Sequence, residues 1–408
     1  MNPAEGKGYL IHMTVLHLLA QAGFSSYLAA PSAIQMYFQG APGSFIWIET
    51  EGTLIDLSRL FESLTFPGSD YFDAALEYED SLVLFHCIDR QDDAARGTAT
   101  IQGAFWYDLG RRVYLDPLGA YPLLREESLV PNRGTAYPAL EQGRRKWYPV
   151  AESALLAAGF GYVPDEELRS GLRAEAGQEG EIRLPAPGKA RVQQEAAQNR
   201  LTKVEQRFLL SRILSGPFAA AGLEILLDSG FIDVHWPLLR AMNTVPHSKE
   251  HHPEGNVWKH TLETFSHRKV FDVVLSLGLL FHDCGKPFAR EQNGNRFDRH
   301  AQIGAYKAGK FMADLAFPVK IIESVEFLVQ YHMLPGAVSK LPVFRTEDIM
   351  RSPLFPDLLE LYRCDISSTY RGPEGYYRAC KAYRRFLKNS QNPFRDSAGK
   401  KRLRLLVE

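Results

Sequence analysis

Leu277-Gly-Leu-Leu-Phe-His-Asp-Cys-Gly-Lys286 is an apolar run that ends in a histidine and an aspartate. A carboxylate at the end of such a run is costly to bury, and metal coordination is the usual compensation. Outward from it, the C-terminal half carries more groups of the same chemistry. In order they are His260, the pair His282–Asp283, His300, His332 and Asp365. Each lies on or beside an apolar helical stretch. Imidazole and carboxylate donors suit Fe, Mn, Co, Ni or Zn, and two adjacent ligands serve two metals if the aspartate bridges. Taken singly, His332 reads as a hydrogen-bonded core residue and Asp365 as the end of a helix. The order of all six argues for a site. No Cys-x-x-Cys pair exists, which excludes a zinc finger.

The flanking residues carry a resemblance. His252-Pro-Glu-Gly-Asn-Val-Trp-Lys-His260-Thr-Leu262, His282-Asp-Cys-Gly-Lys-Pro287 and Phe297-Asp-Arg-His300-Ala-Gln-Ile-Gly-Ala305 resemble the HD-superfamily phosphohydrolase domain. More narrowly, they are similar to the version appended to bacterial tRNA nucleotidyltransferases, the CCA-adding enzymes. The resemblance implies a dinuclear centre. His260, His282, Asp283 and Asp365 would hold one divalent transition metal. Asp283, His300 and His332 would hold the second, with Asp283 bridging. It also implies hydrolysis of a phosphate mono- or diester on a nucleotide or an RNA end. Asp283 and Lys286 are the candidate catalytic residues: Lys286 lies one helical turn past Asp283, where it can neutralise phosphoryl oxygens as charge builds, or it is a surface lysine at a helix end. Two alternatives stay open: a non-catalytic RNA- or partner-binding scaffold with structural metals, and a di-iron oxidative enzyme.

The chain has 408 residues, 45% of them hydrophobic, which suits two or three ordinary globular domains. A net charge of −1 argues against a polycation built for nucleic acid. Four scattered cysteines, Cys87, Cys284, Cys364 and Cys380, fit no disulfide framework. The N-terminus lacks a signal-peptide layout and no 18-residue apolar run exists, so a cytoplasmic protein without membrane contact is expected. Charge is uneven: Arg371 to Glu408 carries eleven Lys/Arg against three Asp/Glu, a local balance of +8. Tyr376, Tyr377, Tyr383, Phe386 and Phe394 are interleaved there. The segment reads either as an RNA contact that holds phosphates and stacks bases, or as a solvated helix face with its aromatics in the core.

Along the first part, residues 8–22 read as a helix and Tyr27–Ala30 as a strand, with Pro31 opening a helix to Phe38. Ser44–Glu49, Thr53–Leu57 and Leu82–Ile88 read as strands. Thr98–Asp108 and Arg111–Leu115 read as a hairpin. From Ala151 onward the signals are helical, and Glu175–Lys189 reads as a flexible connection.

This part is also similar in pattern to the heads of class II tRNA nucleotidyltransferases and bacterial poly(A) polymerases. Tyr27-Leu-Ala-Ala-Pro-Ser-Ala-Ile-Gln-Met-Tyr-Phe-Gln-Gly40 falls where those heads carry Gly-Gly and Arg-Asp. Phe45-Ile-Trp-Ile-Glu-Thr50 falls where they carry Asp-x-Asp. Phe45 and Trp47 cannot ligate magnesium, which implies an inactive head, unless Glu49 and Glu51 supply a shifted carboxylate pair. The expected architecture is α+β. A mixed α/β head spans Met1–Gly143, a helical neck with an insert spans 144–246, and an all-helical HD domain spans 247–408.

Overall fold

The computed structural model describes residues 14–43, 45–69, 71–78, 81–89, 98–133, 146–175, 200–246, 255–292, 296–369 and 372–389. The chain divides into two compact units, Met1–His235 and Trp236–Glu408. The first contains a sheet and the second is mainly helical, so the α+β expectation holds at this level.

The first unit opens with a helix over 14–21, here α1. Then follow β1 (Ser26–Leu28), α2 (Ser32–Gln39), β2 (Phe45–Thr50), α3 (Leu54–Leu60), β3 (Ala74–Tyr78) and β4 (Ser81–Cys87). After them come β5 (Trp106–Asp108), β6 (Val113–Leu115) and β7 (Ser128–Leu129). The unit closes with α4 (Tyr148–Phe160), β8 (Val163–Pro164), α5 (Glu166–Glu175), α6 (Lys203–Ser215), α7 (Ala219–Asp228) and α8 (Phe231–His235). Six strands form one sheet in the order β3-β4-β2-β1-β5-β6. β2 and β4 run parallel at its middle. Ile46, Ile48, Val83 and Phe85 are all fully buried, so these strands read as continuous apolar runs. The strand period of two brings Trp47 beside Leu84 and Glu49 beside His86 on the opposite face. Phe208 of α6 covers part of that face, with ring centroids 4.9 Å from Phe45 and 6.1 Å from Trp47.

Two local expectations are corrected. Thr53–Leu57 is not a strand. Thr53 and Asp56 form a capping box that starts α3, and Leu57 is the residue this helix buries. The first arm of the hairpin shrinks to β5, preceded by a 3-10 turn at Gln102–Ala104. The competing interaction is the Glu152 carboxylate, which accepts from the Ala99 and Thr100 amides at 2.9 and 3.0 Å and from the Thr100 hydroxyl at 2.6 Å. These amides therefore need no strand partner. β3 had no clear sequence signal. It pairs antiparallel with β4. The helix expected over 8–22 is seen from residue 14, and 176–189 lie outside the described residues.

The second unit contains α9 (Pro237–Met242), α10 (Val257–Ser266), α11 (Val273–Phe281), β9 (Glu291–Gln292) and β10 (Arg296–Phe297). Then come α12 (His300–Asp314), α13 (Val319–Tyr331), α14 (Leu334–Ala337), α15 (Glu347–Met350), α16 (Phe355–Ser367) and α17 (Glu374–Asn389). α11 is apolar all round. Leu275, Leu277, Leu279, Leu280 and Phe281 are buried, and α10, α13 and α16 pack against it. Asp272 caps its start by accepting from the Leu275 amide at 2.9 Å. On α17, Tyr376, Tyr383 and Phe386 are buried, so these aromatics serve the core. Tyr377, Arg378, Lys381, Arg384, Arg385 and Lys388 face solvent. Phe394 lies outside the described residues.

Glu152 offers a test of how the first unit is held. Burial pushes its carboxyl up against the lowering effect of the Thr100 and Ala99 bonds. Glu152→Gln keeps the shape but leaves a donor unsatisfied, so urea unfolding should show a loss of about 1–3 kcal/mol. A midpoint equal to wild type would mean that the 98–103 turn is held by other means.

Candidate functional site

All six ligand-type side chains of the second unit converge. His260 projects from within α10 and Asp365 from within α16. His282 and His332 sit at the C-terminal ends of α11 and α13, and His300 begins α12. The same device orients three of the rings. His282 Nδ1 donates to Leu279 O at 2.7 Å, His332 Nδ1 to Val329 O at 2.7 Å and His300 Nδ1 to Phe297 O at 2.9 Å. Each uses the carbonyl three residues earlier. At the two helix ends this satisfies a carbonyl that has lost its helical partner. A carbonyl only accepts, so the Nδ1 atoms carry the protons and the Nε2 atoms carry lone pairs when the rings are neutral. His260 Nδ1 lies 3.3 Å from Ser368 Oγ, a residue with no sequence signal.

The Nε2 atoms point at carboxylates and at one another. Asp283, 3% exposed, has Oδ1 3.6 Å from His300 Nε2 and 3.9 Å from His332 Nε2. Its Oδ2 lies 3.3 Å from His282 Nε2. Asp365 Oδ1 lies 3.1 Å from His260 Nε2 and 3.9 Å from His282 Nε2. His300 and His332 bring their Nε2 atoms to 3.4 Å. His282 Nε2 is buried without a hydrogen bond. Lone pairs and carboxylate oxygens thus face a shared centre, which calls for positive charge there. Two triads have the spacing to hold a metal ion: His260–His282–Asp283 and Asp283–His300–His332. Asp283 belongs to both. Burial pushes His332 down to about 4. Burial opposes the charge on Asp365, yet its His260 bond and the nearby His282 hold it below the usual carboxylate range.

Lys286 is drawn inward. Its Nζ donates to Asp283 Oδ2 at 2.6 Å, and its side chain is 13% exposed. The turn at Gly285 makes this packing possible. A Cβ there would come within 2.0 Å of His300 O and 2.6 Å of Gly304 N.

The first unit holds a cavity of about 310 Å³. Trp47, Tyr71, Trp106 and Tyr148 line it with Glu49, His86 and Glu152. Glu49 is buried, whereas Glu51 is exposed. Glu49 accepts from Trp47 Nε1 at 2.8 Å and pairs with His86 Nδ1 at 2.6 Å. Burial disfavours a protonated His86, but the Glu49 bond and charge outweigh it, and His86 titrates above the ordinary imidazole value. In the sequence His86 carries no signal beyond its place in the apolar run Leu82–Ile88. Among the described residues, no metal-type triad occurs in this unit.

No protein-family model matches the chain. A CC-adding tRNA nucleotidyltransferase of Thermus thermophilus is 35% identical over 175 residues, covering 40% of this chain and 39% of that protein. A multifunctional CCA protein of Halorhodospira halophila is 28% identical over 154 residues, or 35% of this chain and 37% of the relative. The chain thus matches under half the length of these relatives. A crystal structure of the Bacillus stearothermophilus CCA-adding enzyme in complex with CTP superposes with a TM-score of 0.52 at 14% identity, over 95% of this chain and 83% of that one. The fold is therefore that of a CCA-adding enzyme.

These findings overturn the expectation of a phosphohydrolase with an inert head. The Thermus thermophilus relative is named a CC-adding tRNA nucleotidyltransferase, not a hydrolase. The physical reason is that a cluster of metal-type side chains does not fix which bond is presented to it.

Gly285→Ala tests the packing around Asp283. Both clashing atoms are backbone, so the start of α12 must shift and carry His300 away. The loss of stability should be about 3 kcal/mol in denaturant unfolding. A wild-type midpoint would show that the turn tolerates a side chain.

Proposed function

We propose that this chain is an enzyme of the nucleotidyltransferase type that binds the 3′ end of tRNA-class RNA and adds nucleotide to it. The observation that carries the reading is the 35% identity with a CC-adding tRNA nucleotidyltransferase. The shared fold supports it. So does the basic face of α17, where Arg378, Lys381, Arg384, Arg385 and Lys388 are exposed along one helix and suited to phosphate contact.

The second unit, in this reading, is an HD-type module that carries divalent metal. His260, His282, Asp283 and Asp365 would hold one ion, and Asp283, His300 and His332 another. What supports this is the set of lone pairs turned toward one centre by backbone-anchored histidines. A nitrogen-rich donor set suits Fe, Mn, Co, Ni or Zn better than magnesium, which prefers oxygen. Such ions would neutralise Asp283 and tie α10, α11, α12, α13 and α16 together.

Two measurements follow. Purified wild-type protein should contain near-stoichiometric divalent metal by elemental analysis, and Asp283→Ala should lose most of it together with the metal-dependent rise in melting temperature. Full metal content in that variant would remove Asp283 from the site. Separately, tRNA transcripts with stepwise shortened 3′ ends should be extended with labelled CTP or ATP and magnesium. Charge reversal of Lys381, Arg384 and Arg385 should weaken RNA binding and lower its salt slope by about one per lost phosphate contact. Absence of extension on every transcript would overturn the proposed activity.

A further inference from the structure

The walls of the first-unit cavity combine aromatic rings with carboxylates, and two chain periods bring them together. Trp47 and Glu49 are two residues apart on β2 and share a sheet face. Tyr148 and Glu152 are four apart on α4 and share a helix face. Each element thus supplies one aromatic ring and one acid. Tyr71 continues the aromatic wall, with its ring centroid 4.7 Å from Trp47 and 4.5 Å from Tyr148. Trp106 of β5 adds a fourth ring. Both indole N–H groups are committed, Trp47 Nε1 to Glu49 at 2.8 Å and Trp106 Nε1 to Gly103 O at 3.3 Å. What the indoles offer a guest is therefore π-surface, not a donor.

Charge points the same way. Among the described residues, no lysine or arginine lines the cavity. Glu49 is paired with His86 at 2.6 Å, but Glu152 has only neutral donors. The Thr100 amide and hydroxyl meet its Oε1, and the Ala99 amide meets its Oε2. A carboxylate offers about four acceptor sites, so Oε2 keeps capacity for a further donor. Burial raises the Glu152 carboxyl, as expected for a negative charge that lacks a cationic partner. No metal-type triad occurs in this unit among the described residues, so the walls are not spaced for a bare metal ion.

We propose that this cavity binds a small organic ammonium ion, held against the rings of Trp47, Tyr71 and Tyr148 and donating an N–H to Glu152. Aromatic rings attract cations through their quadrupole, and the attraction grows where water is excluded. The acid adds direction and selects a guest with N–H groups. The volume of about 310 Å³ lies at the low end of the range of about 300–1,000 Å³ for small-ligand sites. The proposal is independent of the transferase reading, because it places no nucleotide and no RNA end in the cavity.

The test is calorimetric titration of the full chain at constant pH and ionic strength with n-butylammonium, and with neutral n-butanol and anionic butyrate as probes of similar size. Butylammonium should saturate one site per chain and bind about 10-fold or more tighter than either of the others. Magnesium chloride should not displace it. Glu152→Gln should weaken butylammonium by about 10-fold or more. That variant also loosens the 98–103 turn, so Tyr71→Leu serves as the second variant, since it removes a ring and leaves the Glu152 bonds in place. It should weaken butylammonium by about 5-fold or more and change butanol binding little. Urea midpoints verify that each variant is folded. No saturable butylammonium binding by wild type, or equal affinity for butanol, overturns the proposal. Displacement by magnesium, or wild-type affinity in a folded variant, overturns it as well.

Discussion

A carboxylate buried among imidazoles sets the design of the second unit. Asp283 is 3% exposed at the end of α11, a helix apolar all round. Holding a charge there requires donors or cations on every side, and the surrounding architecture supplies the places for them. Lys286 folds back to donate at 2.6 Å. Three histidines turn their Nε2 atoms inward because their Nδ1 atoms are committed to backbone carbonyls. Gly285 allows the Asp283 turn to approach the first residues of α12 closely enough for His300 to join. Remove the charge and this packing loses its reason. Remove the packing and the charge cannot stay buried.

The first unit uses buried acids differently. Glu152 satisfies two amides and a hydroxyl of one loop, and so replaces a strand partner. Glu49 binds an indole and an imidazole on its own sheet face. Both acids line the cavity, yet one is committed to the backbone and the other directs a titratable ring. Similar buried acids can therefore take backbone or side-chain donors, and the neighbouring elements decide which.

The six-ligand cluster also illustrates the limit of reasoning from a site to a reaction. Its donors have the spacing to hold a metal ion. They are silent on whether a phosphate ester is cleaved there. A relative named for nucleotide transfer to tRNA is 35% identical over 40% of this chain, and a CCA-adding enzyme shares the fold; these findings overturn the expectation of hydrolysis. Function follows the substrate presented to a site, which a ligand list does not contain.

Much of this was legible in the residues. The apolar run 277–281 and the order His260, His282–Asp283, His300, His332 and Asp365 announced a helical unit with a polar centre, because helical period and ligand chemistry are local properties of a sequence. The strand character of β2 and β4 was legible for the same reason. Other features were decided by tertiary structure. Thr53–Leu57 looked like a strand until a capping box and one buried leucine made it a helix. Tyr376, Tyr383 and Phe386 of α17 were ambiguous until their burial assigned them to the core. The Glu49–His86 pair was invisible, since residues 37 positions apart meet only when β2 and β4 pair in parallel with a particular register. Local sequence determined which groups exist and which elements carry them. Chain pairing and burial decided which groups face each other, because those depend on contacts between segments that no single segment encodes.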